Sequence, residues 1–361
     1  MNETPSLPSL VIGDLHINPP IIQGGMGVLI SSFRLAAAVS NEGALGVVAA
    51  VGASEDCTRE GLSGRQRSYW GLREILGKAR ALSGKPIAVN IMCALSDYDE
   101  LVKAAVEENV AAIISGAGLP LRLPELVPAS GPKLIPVVSS ARAASIICHS
   151  WWKRYQRLPD ALVVEGSSAG GHLGFSMKEI AQKTISLDDI VTDVLRFVKT
   201  IKEEHGHDIP VIAAGGIFTG EDIAHFLKLG ASGVQMGTRF VCTDECDASP
   251  LYKQTYLDCR KEDIVIIESP VKLPIRVIRN AFVDELQHVD KKPFKCYYHC
   301  LKNCTPATSP YCIAEALKNA SAGKMDEGLI TCGANAYRIK TIVPVRELIA
   351  ELAGDCLKQL K

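Results

Sequence analysis

The chain has 361 residues, of which 47% are hydrophobic, 22% charged and 6% aromatic, a length that buries one large core or two smaller ones. Lys and Arg number 39 and Asp and Glu 40, so the net charge of −1 argues against the basic excess of nucleic-acid-binding proteins. The apolar runs reach about ten residues, against roughly 20 for a membrane span. Residues 1–10 lack the features of a signal peptide. We therefore expect a cytoplasmic protein that binds neither nucleic acid nor membrane.

Eight short, nearly continuous apolar segments alternate with helical patterns between residues 21 and 236. Such runs are typical of parallel strands that are buried on both faces. The alternation predicts an α/β fold, a (β/α)8 TIM barrel. A doubly wound sheet is the alternative, although the chain has neither a G-x-G-x-x-G nor a P-loop motif. The predicted strands are Ile21–Gln23, Leu45–Ala50, Ile87–Ile91, Ala111–Ser115, Leu134–Val138, Ala161–Glu165, Val211–Ala214 and Gly233–Met236.

Two of the predicted helices begin with capping signals. Ser186 with Asp189, and Thr219 with Asp222, match the capping box, and each pair precedes an apolar pattern of helical period. By contrast, residues 52–69 are polar and rich in Gly, Ser and Arg. We predict that this segment is a long loop after the second strand.

The residues beyond about 240 follow the eighth predicted strand and form a cysteine-rich tail. Helical patterns recur in this tail at Ile313–Ala320 and Val345–Leu352. We interpret residues 1–260 as the barrel and residues 261–361 as a C-terminal extension that packs on it without an independent core.

The active site is expected just after the predicted strands, because a TIM barrel builds its site at the carboxyl ends of its strands. Asn90 is a polar residue within an apolar strand, and a buried amide needs a partner, either a bound heterocycle or neighbouring backbone. His172 follows two glycines after the sixth strand. An imidazole there suits proton transfer or substrate polarisation, with a structural histidine as the alternative. The other seven histidines have no comparable setting.

Glycine-rich segments follow several strands and indicate a flat, phosphate-bearing ligand. Gly24–Gly27 contains three glycines in four positions, which lets the backbone approach a flat ligand closely. Gly215 and Gly216 follow the seventh strand, and Gly237 and Thr238 follow the eighth. In this fold these two loops recurrently bind phosphate, helped by the N-terminus of the next helix. Ordinary tight turns are the alternative for each segment.

Several of these segments resemble the FMN-dependent nitronate monooxygenase family, which includes enoyl-acyl-carrier-protein reductase II and NADH:quinone reductases. Their number and order carry the resemblance over roughly residues 18–282, with a thinner match to about 350. The matching segments are Pro20–Gly27, Val89–Met92, Ser115–Leu119, Glu165–Gly174, Pro210–Ile217, Gly233–Phe240, Ser269–Asn280 and Gly333–Ile339.

The resemblance implies an FMN-binding barrel. In such a barrel Gly25 and Met26 would lie along the isoalloxazine ring, Asn90 would meet its polar edge, and His172 would be the catalytic histidine. The residues implied around the ribityl phosphate are Gly171, Gly215, Gly216, Gly237 and Thr238.

The implied activity is oxidation of an alkyl nitronate with O2 at the flavin, on a small-molecule substrate. The alternative is an NAD(P)H-dependent reductase that acts on an enoyl thioester or a quinone, and acyl carrier protein would then be a partner. Arg65, Arg67 and Tyr69 are candidates for contact with such an acidic carrier or with a nucleotide phosphate. A flavin- or metal-binding regulatory module is the non-enzyme alternative, and a homodimer is compatible with each reading.

The tail contains four closely spaced cysteines, Cys296, Cys300, Cys304 and Cys312. Four thiolates suit an iron–sulfur cluster or zinc, although the spacing C-x3-C-x3-C-x7-C matches neither common ferredoxin nor zinc patterns. If this segment is helical, the first three share one face. Free thiols in a capping element are the alternative. A cluster here would feed electrons to the flavin.

Overall fold

The computed structural model describes residues 7–182, 185–286, 288, 292, 294–296 and 299–361. Its strands are β1 (Leu10–Ile12), β2 (Leu15–Ile17), β3 (Ile21–Gln23), β4 (Gly46–Ala49), β5 (Ile87–Met92), β6 (Ala112–Gly116), β7 (Lys133–Val138), β8 (Leu162–Glu165), β9 (Gly171–His172), β10 (Val211–Ala214), β11 (Gly233–Met236), β12 (Ile264–Glu268), β13 (Pro274–Ile278) and β14 (Ile330–Thr331). Its α-helices are α1 (Phe33–Asn41), α2 (Gly64–Leu82), α3 (Tyr98–Glu107), α4 (Leu123–Leu126), α5 (Ala141–Tyr155), α6 (Met177–Gln182), α7 (Leu187–His205), α8 (Gly220–Leu229), α9 (Thr238–Val241), α10 (Pro250–Asp258), α11 (Ala281–Glu285), α12 (Ile313–Ser321) and α13 (Val345–Leu360).

Eight parallel strands form the barrel, which confirms the predicted fold class. They run in the order β3-β11-β10-β8-β7-β6-β5-β4. A parallel bridge between Ile22 and Leu45 closes the two ends of this order. Each of the eight predicted strands is present, three with the predicted boundaries and five with ends that shift by one residue. Among the described residues, no helix combines the length and apolar character that a membrane span requires.

A short hairpin at the start of the chain fills the end of the barrel opposite the expected site. Strands β1 and β2 pair antiparallel, and Leu10, Ile12 and Ile17 are buried with inward-facing residues from the strands, such as Ile135 and Ile212. The two strands of this hairpin alternate buried and exposed residues, but each is only three residues long. The hairpin was therefore not predicted from the sequence.

The two predicted capping boxes are present. Ser186 and Asp189 cap α7, and Thr219 and Asp222 cap α8. The predicted long loop after the second strand is wrong in its second half, because α2 begins at Gly64. A further capping box, Ser63 with Gln66, starts this helix. Its first turn is polar and its buried face develops only from residue 68 onward, so the helical period was hidden.

The tail packs against the barrel at two places. Strands β12 and β13 form a hairpin, and β13 also pairs antiparallel with β9, which carries His172. Helix α13 packs against α8 and against α1. Both predicted tail helices are present, and the second continues to Leu360. The division at residue 260 remains an interpretation.

Candidate active site

A cavity of about 1380 Å³ opens at the carboxyl ends of the barrel strands. Its walls come from the loops after the strands and from the tail. All nine residues predicted for the site line this one cavity: Gly25, Met26, Asn90, Gly171, His172, Gly215, Gly216, Gly237 and Thr238. The structure therefore brings together residues that lie up to 213 positions apart in the chain, from Gly25 to Thr238 (238 minus 25).

Two of the predicted glycines are required by their surroundings. Gly215 has φ +94°, a conformation that side chains disfavour, and a Cβ there would lie 2.9 Å from the Gly166 carbonyl oxygen. Gly25 lies directly against the side chain of Asn90, because a Cβ at this position would come within 3.0 Å of the amide carbon. Close backbone packing at both positions keeps the cavity surface open for a ligand.

The loops after β10 and β11 offer backbone N–H groups to a phosphate, but two of the N–H groups just before α8 are already bonded. The first N–H groups around α8 are already bonded, because Asp222 Oδ2 accepts hydrogen bonds from Phe218 N (2.8 Å) and Thr219 N (2.9 Å). Helix α9 is a single turn that begins at Thr238. These two N–H groups precede the helix, so the predicted contribution of the N-terminus of α8 stays a prediction. An anion in this corner would rely on loop N–H groups and on the Thr238 hydroxyl, which accepts from Gly333 N at 3.2 Å and still has its own proton to donate.

His172 lies in β9, opposite Ile275 of β13. Its Nε2 is buried and has no hydrogen-bond partner among the described residues. Burial lowers the pKa of His172 to about 4, from an ordinary value of 6.5, because the cavity wall desolvates the imidazolium. The imidazole is therefore neutral at neutral pH, with one ring nitrogen available to a ligand.

Two further polar residues, Glu165 and Gln235, line the cavity and were not predicted as site residues. Burial raises the pKa of Glu165, the last residue of β8, to about 7 from an ordinary value of 4.5. Gln235 of β11 has a buried Oε1 without a partner among the described residues. The signal that singled out Asn90, a polar residue near the end of an apolar strand, applies equally to both residues.

The tail completes the cavity wall. Arg276 of β13 is buried, and its guanidinium donates to the carbonyl oxygen of Ala169, just before β9. Asn335 Nδ2 donates to Gly216 O at 2.6 Å, and Lys318 forms an ion pair of 2.5 Å with Glu55. His299 also lines the cavity, although its sequence setting gave no indication of this.

The two loop arginines have different positions relative to the cavity. Arg67 Nη2 donates to the carbonyl oxygens of Ser54 and Cys57, each at 3.2 Å, so it stabilises its own loop. Arg65 is two-thirds exposed and lines the rim of the cavity.

All twelve cysteines are free thiols. The described residues of 294–304 include no helix, so the condition under which Cys296, Cys300 and Cys304 would share one helical face is not met there.

Comparison with known proteins identifies the family to which the chain belongs. The model of the family described as nitronate monooxygenase matches residues 9–111 and 72–355. The chain belongs to the nitronate monooxygenase family. This is a family of FMN-dependent oxidoreductases, and the resemblance of the strand-end motifs is thereby confirmed.

Named relatives of this nitronate monooxygenase family member differ in the activity that they carry. A "(3aS,4S,5R,7aS)-5-hydroxy-7a-methyl-1-oxo-octahydro-1H-indene-4-carboxyl-CoA dehydrogenase" of Rhodococcus jostii is 29% identical over 272 residues, which cover 75% of this chain and 66% of the relative. A "probable nitronate monooxygenase" of Staphylococcus saprophyticus is 28% identical over 311 residues, 79% of this chain and 82% of the relative. The chain thus spans just under two thirds of the dehydrogenase.

Solved structures of related proteins have the same architecture. FabK from Thermotoga maritima superposes with a TM-score of 0.74 at 29% identity, over 95% of this chain and 94% of that chain. A nitroalkane oxidase from Streptomyces ansochromogenes superposes with a TM-score of 0.73 at 21% identity, over 95% and 97%. At that identity the second likeness supports the fold alone.

The cavity fits the FMN on which the family depends. A flat ring system needs a surface free of side chains, and Gly24–Gly27 supplies one. The ring's heteroatoms need polar partners, and Asn90, Gln235 and His172 present amide and imidazole groups to the same space.

Proposed function

We propose that this protein is an FMN-dependent oxidoreductase that oxidises alkyl nitronates with O2. In the net reaction, two nitronate anions and one O2 give two carbonyl compounds and two nitrite ions, so atoms and charge balance. The observation that carries the proposal is His172 Nε2, which is buried and without a partner among the described residues, in a cavity wall of a nitronate monooxygenase family member. Bound FMN supplies the redox chemistry.

We assign the chain's own residues to binding and orientation. Gly25 and Met26 would hold the face of the flavin ring, and Asn90 its polar edge. The phosphate would bind among Gly171, Gly215, Gly216, Gly237 and Thr238. These assignments are supported by the shared cavity and by the conformation of Gly215.

His172 would orient the substrate through its free ring nitrogen. A neutral imidazole donates one N–H hydrogen bond, and a nitro oxygen of the nitronate is a suitable acceptor. The anion would raise the pKa of His172 from its low value, since an opposite charge favours the imidazolium. Substrate binding would therefore strengthen the hydrogen bond that positions the reacting carbon.

A second candidate activity is reduction of an acyl thioester with electrons from NAD(P)H. The cavity volume of about 1380 Å³ exceeds the ~300–1,000 Å³ of ordinary ligand pockets. Its tail side includes the apolar residues Val271, Leu273 and Leu317, which suit an acyl chain. Arg65 at the rim would then meet an acidic carrier such as acyl carrier protein. A quinone is the other acceptor of this reductase reading.

An anaerobic titration separates the two candidates. The FMN-loaded protein is mixed without O2 with an alkyl nitronate, with NADH or with NADPH, and the flavin absorption is followed. Bleaching by the nitronate alone, followed by nitrite release when O2 is admitted, supports the proposed oxidation. Rapid bleaching by either nucleotide contradicts it and favours the reductase. Sedimentation of the same sample tests whether the protein is a homodimer.

A further inference from the structure

The four cysteines of the tail line one small cavity beside the main cavity. Cys296, Cys300, Cys304 and Cys312 all contribute to this space of about 240 Å³. The spacing of the four cysteines in the sequence does not by itself bring them together, because the described residues of 294–304 form no helix that would align them. They converge because the chain turns around the cavity and returns to it at the start of α12.

This cysteine cavity shares a wall with the proposed flavin cavity. Residues that line both are Ser96, His299, Cys300, Leu301 and Ile313. The wall is fixed to the loop after β5, since Ser96 N donates to Cys300 O at 3.0 Å and Lys302 N donates to Ala94 O at 2.9 Å. Lys302 Nζ also donates to Cys93 O at 2.9 Å. The cysteine segment is therefore held by backbone hydrogen bonds to the loop that follows β5, the strand that carries Asn90.

The four thiols differ in burial. Cys312 is buried, and Cys296, Cys300 and Cys304 are partly buried. Around them, Cys304 Sγ lies 3.3 Å from Ser309 Oγ, and Cys296 Sγ lies 4.0 Å from His299 Nδ1. Four thiols around one cavity match the ligand number of a four-cysteine metal centre, and such a centre would neutralise their charge once they ionise.

The spacing of the thiols distinguishes between metal centres. Zinc draws its ligands around a single ion at ~2.3 Å per Zn–S bond. No three His, Cys, Asp or Glu residues of the described chain are arranged to share one ion. A cubane cluster places each thiolate on a different iron, so it accepts sulfurs that are further apart and surround a larger space.

We propose that Cys296, Cys300, Cys304 and Cys312 bind a [4Fe–4S] cluster in the wall of the flavin cavity. Each thiol gives up its proton to solvent as its sulfur bonds to one iron, and two ferrous ions, two ferric ions and four sulfide ions supplied from outside make up a core of charge 2+, so no oxidant is needed. Cys300 and the backbone of residues 299–301 separate the cluster from the main cavity.

Anaerobic reconstitution of the FMN-loaded, full-length protein with equal amounts of ferrous and ferric iron and with sulfide tests this proposal. We expect about four iron and four acid-labile sulfide per chain, with a broad visible absorption and an electron paramagnetic resonance signal after reduction with dithionite. Cys304→Ala and Cys300→Ala should each lose most of the iron and the signal. Cys356→Ala, which removes a buried thiol of α13 outside the cavity, should keep both.

Other outcomes overturn the proposal. These are a chain that takes up no iron and sulfide, a chain that holds one zinc through the same thiols, and cavity variants that keep the full iron content. FMN content and circular dichroism report whether each variant is folded, independently of the cluster. If Cys300→Ala loses FMN as well, Cys304→Ala and Cys296→Ala decide, since neither residue lines the flavin cavity.

Discussion

The two halves of the cavity wall are built in different ways. The barrel half consists of residues that directly follow their own strands, such as Gly215 after β10 and Gly237 after β11. The tail half reaches the cavity through contacts between distant positions: Arg276 and Ala169 are separated by 107 residues, and Asn335 and Gly216 by 119. We infer that the barrel half holds the cofactor and the tail half shapes the substrate space and supports β9. Changes in the two halves should therefore have separable effects.

His172 belongs to both halves, since it follows a barrel strand and pairs with the tail, so its removal should have the largest effect. We expect His172→Ala to lower turnover by ~10²–10³-fold, the usual cost of removing one hydrogen-bond donor to the reacting group. FMN should remain bound, because the glycine-rich loops are unchanged. Steady-state kinetics and the flavin-to-protein ratio measure both effects.

His16→Ala is the matched control, because His16 is exposed in the hairpin at the opposite end of the barrel. Its turnover should equal that of the unmodified protein. Full turnover in His172→Ala would exclude any catalytic or orienting role for His172.

A change confined to the barrel half should release the flavin. In Gly215→Ala, the new methyl group meets the Gly166 carbonyl oxygen at 2.9 Å, and φ +94° is strained for alanine. Such strain costs ~1–3 kcal/mol. We expect the dissociation constant for FMN to rise about tenfold, measured by fluorescence titration.

Gly206→Ala provides the comparison, because Gly206 also has a positive φ, +67°, but a Cβ there meets no atom within 4 Å. It should lose some stability and keep its FMN affinity. If Gly215→Ala binds FMN normally, the loop after β10 does not hold the phosphate.

A change confined to the tail half should leave the flavin in place. Arg276→Met keeps the length of the buried side chain but removes the donor to Ala169 O, which anchors the segment before β9. Hydrogen bonds of charged groups contribute ~1.5–3 kcal/mol. We expect turnover to fall about tenfold as His172 loses its support, with an unchanged flavin-to-protein ratio. Arg279→Met, at an exposed position beyond the same strand, is the control. Loss of FMN from Arg276→Met would contradict the separation of the two halves.

The same contrast explains what could be predicted from sequence. The barrel strands are short apolar runs, and their polar end residues lie beside them in the chain, so Asn90, His172 and Gly215 were found from local pattern alone. The positions of Arg276, Lys318 and His299 depend on how the tail folds back, and no local pattern encodes that return. Helix α2 was missed for a local reason, since its polar first turn conceals the helical period. Glu165 and Gln235 were within reach of the criterion that identified Asn90.

The smallest expected effect is a change in pH dependence within the cavity wall. The pKa of Glu165 is about 7 in the folded chain against an ordinary 4.5. Between these values the folded state holds a proton that the unfolded state has lost. Stability should therefore fall as pH rises from 4.5 through 7. His172 acts in the opposite direction, because its pKa is about 4 against an ordinary 6.5. The unfolded state then binds the extra proton, and stability falls as pH drops from 6.5 through 4.

Two conservative variants separate these contributions. The two windows overlap, so the two contributions nearly cancel between pH 4.5 and 6.5 in the unmodified protein. Glu165→Gln leaves the contribution of His172 alone, so its free energy of unfolding should rise with pH from 4 to 6.5. His172→Gln leaves the contribution of Glu165 alone, so its free energy of unfolding should decline between pH 4.5 and 7. Urea unfolding at a series of pH values measures both, with Glu262→Gln as the control at an exposed carboxyl of the tail. If Glu165→Gln follows the unmodified curve throughout, the Glu165 carboxyl is not held neutral in the wall, and the barrel half of the cavity is more polar than its lining residues indicate.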